Sequence, residues 1–380
     1  MKKEEENIKQ KDKMKINVLI LITSSYGGGA EKLVLEQITQ KSNSINYFIA
    51  TLRKGNIESE FKKYHQYICM DTKFKLSIKT ILLLNKYIRK HKIKILHTHL
   101  LEADVCGFLI KLLNPKLKLI STRHSSNDPL RKKAFMKLTS NLLSINFNKI
   151  IAVSKDVQKF LITQEKIPQN KIKTIYHGTD PRQFKKQKNK QTLKELNLSE
   201  NNFIIGIVGR LSKEKGHKYL LKAISTLNKK IRNIKLLIVG EGKLLSELKK
   251  YARKQGIKQN VLFLGFRKDM PNLYSIMDVF CLPSLFEGLP IVLTEAMSSE
   301  SIVVCSDIPN NKEIIQNGKD GILFQVKNDK QLAKILYEIY KNPQKYESVK
   351  SNAINKVYEL FDYKKNLRKI EEVYVECLKR

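Results

Sequence analysis

Short apolar runs alternate with helical patterns along the whole chain, and this alternation restricts the fold more than any other feature. Ile16-Asn17-Val18-Leu19-Ile20-Leu21-Ile22 reads as a buried strand. Tyr26-Gly27-Gly28-Gly29-Ala30 and a helical stretch from Glu31 follow it, the strand–glycine turn–helix opening of a βα unit. Further strand-like runs lie at Tyr47–Leu52, Ile93–His97, Leu117–Ser121, Ile150–Val153 and Lys173–Tyr176, separated by helical patterns such as Ser77–Lys90 and Ala103–Leu113. This order predicts a parallel sheet with helices on both faces. Residues 181–200 are polar, mostly lysine, glutamine and asparagine, and read as a linker. A second series then begins, with strands at Phe203–Val208, Lys235–Val239, Val261–Leu264, Val279–Leu282 and Ile302–Cys305. The expected organisation is α/β: a disordered tail over 1–14, a first domain over 15–180, the linker 181–200, a second domain over 201–361, and a C-terminal helix over 362–380 packing back on the first domain. Two doubly wound, Rossmann-like domains facing across a cleft would bind ligand there, beyond the carboxyl ends of their strands.

The 380 residues suit two domains of ordinary size. Lys and Arg number 72 against 36 Asp and Glu, a formal charge of +36, which favours anionic partners: nucleic acid, anionic lipid or phosphorylated small molecules. Charge alone does not choose among them. Cys69, Cys106, Cys281, Cys305 and Cys377 form no CxxC pair, so a zinc site is not expected, and they read as reduced thiols of a cytosolic protein. Met1 to Lys15 lacks the apolar region of a signal peptide, and no apolar run reaches the roughly 18 residues of a spanning helix. A protein that is soluble or rests on a membrane surface is expected.

Three segments carry anion-binding chemistry. Gly209-Arg210-Leu211-Ser212-Lys213-Glu214-Lys215-Gly216 follows a strand and precedes a helix, and Arg210 and Lys215 are placed to close on one diphosphate from two sides. A solvated basic loop explains the same residues. Gly27-Gly28-Gly29 lets backbone N–H groups approach an anion at a helix N-terminus, though a tight turn without function is equally consistent. In Pro283-Ser284-Leu285-Phe286-Glu287-Gly288-Leu289-Pro290-Ile291, the strand Val279–Leu282 gives way to a helix with Pro290 in its first turn, leaving backbone donors for an anion. Glu287 lies just before this helix and Glu295 two turns into it. They are too far apart for an acid/base pair and suit different parts of one long polar ligand. For Glu295 alone, a solvated helix face is the plain alternative.

The spacing Glu287-x7-Glu295 after Pro283-Ser284 resembles the signature of the family-4 retaining glycosyltransferases of GT-B fold. Gly27-Gly28-Gly29-Ala30-Glu31, Tyr176-His177-Gly178-Thr179-Asp180, the 209–216 segment, Gly240-Glu241-Gly242, Val261–Phe266, Asp307-Ile308-Pro309 and Asn317–Gly321 are similar to that family in the same order. The resemblance implies that Glu287 contacts the transferred sugar, Glu295 holds the ribose, and Arg210 and Lys215 neutralise the diphosphate. It implies that the backbone at Gly209, Gly288, Leu289 and Ile291 cradles phosphate and sugar, and that Phe266 belongs to the wall of the base pocket. Gly28 and Gly29 join the donor-binding set, and His124, after strand 117–121, reaches the sugar–phosphate end of the donor. Many relatives have glycine where Pro290 stands, which removes one donor here.

The activity implied is transfer of a hexosyl or N-acetylhexosaminyl group from a nucleotide-diphosphate sugar, by preference a UDP-sugar. The implied acceptor is a saccharide or lipid-linked saccharide of bacterial-type envelope polysaccharide or glycolipid synthesis. No metal or other cofactor is expected, since Asp-x-Asp is absent and the leaving phosphate is thought to help deprotonate the acceptor. His97 and His99 alternate on a strand, which reads as opposite faces and argues against a shared metal. His177 reads as part of the interdomain turn. A nucleotide-sugar epimerase and a phosphorylase keep the fold and change the chemistry. A nucleic-acid-binding protein would cluster basic residues with aromatics on one module, whereas the lysines here are spread throughout. Residues 129–143 read as a basic amphipathic helix, which packs on the domain core or attaches the protein reversibly to the inner, anionic face of the cell membrane.

Overall fold

The computed structural model describes residues 15–379 apart from 27, 41, 65, 72–76, 126–142 and 185–188. The expected tail over 1–14, Gly27 and all of the amphipathic stretch except Leu143 therefore lie outside the described residues. The chain forms two compact units, Met1–Ile175 with Leu367–Arg380, and Tyr176–Asn366.

In the first unit seven strands form one parallel sheet: β1 (Ile16–Ser24), β2 (Ile45–Arg53), β3 (Tyr67–Cys69), β4 (Ile95–His99), β5 (Lys118–Arg123), β6 (Lys149–Ala152) and β7 (Ile172–Thr174). Their spatial order is β3-β2-β1-β4-β5-β6-β7. β1 is central, with Ile20 opposite both Ile49 and His97. A parallel strand covered on both faces must be apolar on both, and Val18 through Ile22 are fully buried. Strand order reverses between β1 and β4, so a crevice opens at their carboxyl ends. One face of the sheet is covered by Val34 and Ile38 of the helix Gly29–Thr39 together with Ile370, Val373, Tyr374 and Cys377 of the helix Tyr363–Lys379.

The second unit repeats the plan with six parallel strands: β8 (Phe203–Val208), β9 (Ile234–Val239), β10 (Val261–Gly265), β11 (Val279–Leu282), β12 (Ile302–Ser306) and β13 (Ile322–Phe324), in the order β10-β9-β8-β11-β12-β13. Side chains alternate between the two faces along β8. Ile205 and Ile207 pack with the helices His217–Asn228 and Asp329–Lys341. Ile204 packs on the other face with the helices Ile291–Ser298 and Glu347–Lys356. Here the order reverses between β8 and β11, which places the crevice between the two loops that the sequence marked out.

Three expectations need correction. The stretch 181–200 is not a free linker. It contains a short turn, Pro181–Gln183, and the helix Lys190–Glu195, whose Leu193 is buried in the second unit's core with Leu196 and Leu198 beside it. One or two apolar side chains per turn suffice to dock such a segment, while its mean composition stays polar. The change of unit falls at 175/176 rather than 180, and again at 366/367, inside the helix Tyr363–Lys379 rather than at 361/362. The edge strands β3 and β13 were not anticipated; each is three residues long, too short for a periodic signal. All five cysteines are free thiols, and Cys106, Cys281, Cys305 and Cys377 are buried.

Candidate active site

Two loops of the second unit meet at the carboxyl ends of β8 and β11. After β8 the chain runs through Gly209 and the turn Lys213–Lys215 to Gly216, which adopts φ +68°. Only glycine fits there: a Cβ would sit 2.0 Å from the carbonyl oxygen of Pro283 as well as in the left-handed region. The Leu285 N–H donates to the Glu214 carbonyl at 2.7 Å. These contacts pin the 209–216 loop onto the 283–290 loop, and they bring Lys215 to Glu287 across 72 positions of sequence. The Lys215 ammonium donates to both carboxylate oxygens, at 2.7 and 2.8 Å, and Ser284 Oγ donates to Oε1 at 2.6 Å. Ser284 is held in turn, its carbonyl accepting from Ser306 Oγ, while Asn311 Nδ2 donates to the Ser306 carbonyl at 2.8 Å.

The helix Ile291–Ser298 starts immediately beyond, with Pro290 as its N-cap and no side chain capping its free N–H groups. An uncapped N-terminus carries partial positive charge and open donors. Glu295, two-thirds of the way along, is buried rather than on a solvated face, and its Oε2 accepts from the Tyr274 hydroxyl at 2.9 Å. Burial and then the Glu295 charge push the Tyr274 phenol well above its usual range, so it stays a donor. Arg210 is exposed and makes no ion pair with a described residue.

The neighbouring strand ends continue the same rim. Gly209 N–H donates to the Val239 carbonyl at 2.9 Å, and Gly240 N–H donates to the Gly265 carbonyl at 2.7 Å. The next residue, Phe266, leaves 62% of its surface in solvent, an unusual position for a phenyl ring that no described aromatic ring stacks on.

In the first unit the helix Gly29–Thr39 begins at the end of β1 with Gly28 as N-cap, and no side chain caps it. A Cβ on Gly28 would meet Glu31 Oε2 at 2.7 Å, whereas one on Gly29 would meet nothing within 4 Å. His124 follows β5 and is half-buried, its Nε2 3.0 Å from His99 Nδ1. Below it lies a buried cluster in which Asp104 accepts from Thr98 Oγ1 at 2.6 Å, from Ser121 Oγ at 2.7 Å and from Arg123. His97 and His99 do not face opposite ways. Residues two apart on a strand share a face, and their rings lie 4.4 Å apart. His97 is nevertheless no metal ligand here. Its Nδ1 is hydrogen-bonded to the Tyr374 hydroxyl at 2.7 Å, which also accepts from Gln37 Nε2 at 2.8 Å, and its Nε2 is hydrogen-bonded to Thr122 Oγ1 at 2.7 Å, so both ring nitrogens are engaged. Among the described residues no group of three or more His, Cys, Asp or Glu is placed to hold a metal ion.

Residues 27–183 match the family described as Glycosyltransferase Family 4, and residues 188–356 match Glycosyl transferases group 1. The two matches lie in tandem and cover most of the chain. The chain is a family-4 glycosyltransferase. It is 29% identical over 320 residues, 82% of either chain, to the UDP-Gal:alpha-D-GlcNAc-diphosphoundecaprenol alpha-1,3-galactosyltransferase of Escherichia coli. It is 27% identical to the capsular polysaccharide biosynthesis glycosyltransferase CapH of Staphylococcus aureus, over 80% of this chain and 85% of that one. Among solved structures, Anabaena HepE in complex with UDP superposes with a TM-score of 0.84 at 22% identity, over 95% of this chain and all of that one, which shows the GT-B fold.

Of the residues expected in this glycosyltransferase's site, the second unit brings Gly209, Lys215, Glu287, Gly288, Leu289, Ile291 and Glu295 onto two adjoining loops and one helix, with Arg210 and Phe266 on the exposed rim. Gly28, Gly29 and His124 sit at strand ends of the first unit. Sequence reading missed Tyr274, Ser284, Ser306 and Asn311, which position the two glutamates. Ser284 stood inside the quoted signature, three residues before Glu287, and an i,i+3 hydroxyl–carboxylate spacing is the signal for it. The pairing of Lys215 with Glu287 has an electrostatic consequence. The ammonium bridging both oxygens offsets part of the carboxylate's charge and keeps it oriented.

Proposed function

We propose that the enzyme transfers a hexosyl or N-acetylhexosaminyl group, with retention, from a UDP-sugar to a saccharide or lipid-linked saccharide acceptor in envelope polysaccharide or glycolipid synthesis. The observation that carries this reading is the Lys215–Glu287 pair set at the uncapped N-terminus of the helix Ile291–Ser298, with Glu295 buried on the same helix. Arg210, Lys215 and that helix terminus supply the positive field in which a diphosphate departs. Glu287 accepts hydrogen bonds from sugar hydroxyls, Glu295 from the ribose, and Phe266 lies beside the base. The departing phosphate takes the acceptor's proton on the same face, so no protein base and no divalent cation take part. The relatives' names support a UDP-sugar and an undecaprenyl-linked or capsular acceptor. An acceptor of that kind, together with a charge of +36, supports work at the inner, anionic surface of the cell membrane. Among the described residues no helix is long and apolar enough to cross a membrane.

The test is a panel of nucleotide-sugars, scored by binding and slow hydrolysis and then with lipid-linked acceptors, the product anomer being read by NMR. Turnover of a UDP-hexose or UDP-N-acetylhexosamine with retained configuration is expected. No affinity for any uridine nucleotide, or a product of inverted configuration, refutes the reading.

A further inference from the structure

Ten large apolar side chains are exposed among the described residues, and five of them lie on two adjoining helices of the first unit. On the helix Ile78–Lys90, Thr80, Leu84 and Ile88 point inward, one turn apart. The opposite face carries Ile78, Leu82 and Leu83, with Ile78 exposed by 78% and Leu82 by 55%. The helix Leu101–Leu113 ends beside it: Asn114, its C-cap, bonds Asn85 and accepts from Arg89 Nε at 3.3 Å. That end contributes exposed Leu112 and Leu113. Exposed Lys79, Lys86, Arg89 and Lys90 lie among these leucines on the first helix, and none makes an ion pair with a described residue. The sequence has no Asp or Glu between Asp71 and Glu102, and none between Asp104 and Asp128.

We propose that this face is a docking surface for an anionic lipid bilayer, with the leucines entering the headgroup–acyl boundary and the basic side chains at the phosphates. The charge decides the occupant. Apolar side chains set beside cations that make no ion pair with a described residue, in sequence free of acids over 72–101 and 105–127, match a negatively charged surface of low specificity. A second copy would set the same cations against each other. The placement rests on the membrane reading above and is separate from the donor site, whose residues all lie elsewhere.

The full chain is floated with vesicles of phosphatidylcholine alone and of equal parts phosphatidylcholine and phosphatidylglycerol. The variants are Leu82→Glu/Leu83→Glu, Lys79→Glu/Lys86→Glu/Lys90→Glu, and, in the other basic stretch, Arg131→Glu/Lys132→Glu/Lys133→Glu. UDP affinity and thermal midpoint serve as controls for folding, because every substituted residue of the helix face is exposed. Wild type is expected on the anionic vesicles only, released by salt. Each charge facing the bilayer changes partition roughly fivefold, so both helix variants lose it by tenfold or more. Wild-type binding that survives both helix variants overturns this face and leaves the membrane reading standing, the more plainly if the 131–133 variant abolishes it. Absence of wild-type binding to anionic vesicles overturns both. A dimer in solution that Leu82→Glu/Leu83→Glu dissociates makes the face a subunit interface and overturns the proposal.

Discussion

Tyr274→Phe tests the assignment of Glu295 with the removal of a single oxygen. The hydroxyl donates to Glu295 Oε2 at 2.9 Å, and both side chains are buried. The ring keeps its packing against Phe280 and Phe184, with centroids 5.6 and 5.8 Å away, so no cavity forms. A hydrogen bond to a charged partner is worth about 1.5–3 kcal/mol. If the bond holds the carboxylate toward the ribose, its loss appears in nucleotide binding as roughly a 10- to 100-fold rise in the dissociation constant of UDP. Calorimetry with UDP on wild type, Tyr274→Phe, Glu295→Ala and the double variant reads this directly. Tyr274→Phe should weaken UDP by about tenfold or more, and Glu295→Ala by at least as much. The double variant should be no weaker than Glu295→Ala, because a hydroxyl with no carboxylate to orient has nothing left to contribute. Losses that simply add, or a lowered thermal midpoint with UDP affinity unchanged in Tyr274→Phe, would refute the reasoning: the bond would then serve the fold alone.

Arg210→Ala and Lys215→Ala should each lower turnover by roughly 100-fold, about 3 kcal/mol of transition-state stabilisation, with the fold intact; turnover within about twofold of wild type in both removes the clamp from the mechanism. Glu287→Ala should cripple transfer and leave UDP affinity nearly unchanged, and an equal loss of nucleotide affinity in Glu287→Ala and Glu295→Ala would end the division of roles. Transfer should persist in the presence of a chelator; activity abolished by it and restored by magnesium or manganese contradicts the metal-free reading. Acid should destabilise the first unit through His97, whose pKa is pushed from 6.5 down to about 3 by burial and then by His124. The unfolded chain binds that proton first, so the neutral imidazole's contribution is complete above pH 6.5 and is lost as pH falls from there toward 3. The full swing is about 5 kcal/mol, and His97→Asn should flatten the dependence of denaturant midpoint on pH over that window.

What the sequence made legible was local. The apolar runs of β1, β8 and β11 are continuous because both faces of those strands are covered, so they stood out without any alignment. The segments 209–216 and 287–295 each carry their signature within a few residues. Contacts that join distant positions carried no such mark. Nothing at Lys215 announces Glu287, and nothing at Tyr274 announces Glu295, 21 residues on. The error over His97 and His99 was one of period, since a strand repeats every two residues and the pair shares a face. The helix Lys190–Glu195 was hidden because polar lysines and glutamines outnumber the few side chains that anchor it.

The helix Tyr363–Lys379 has a consequence for the order in which the protein is made. The second unit is one continuous segment, Tyr176–Asn366, whereas the sheet that begins at Ile16 lacks Ile370, Val373, Tyr374 and Cys377 until nearly two hundred residues beyond its last strand have been synthesised. Until Tyr374 arrives, His97 Nδ1 and Gln37 lack the hydroxyl that joins them. The first unit's strands are therefore all synthesised before the helix that covers one face of their sheet, and that face gains its last layer only when the end of the chain has been made.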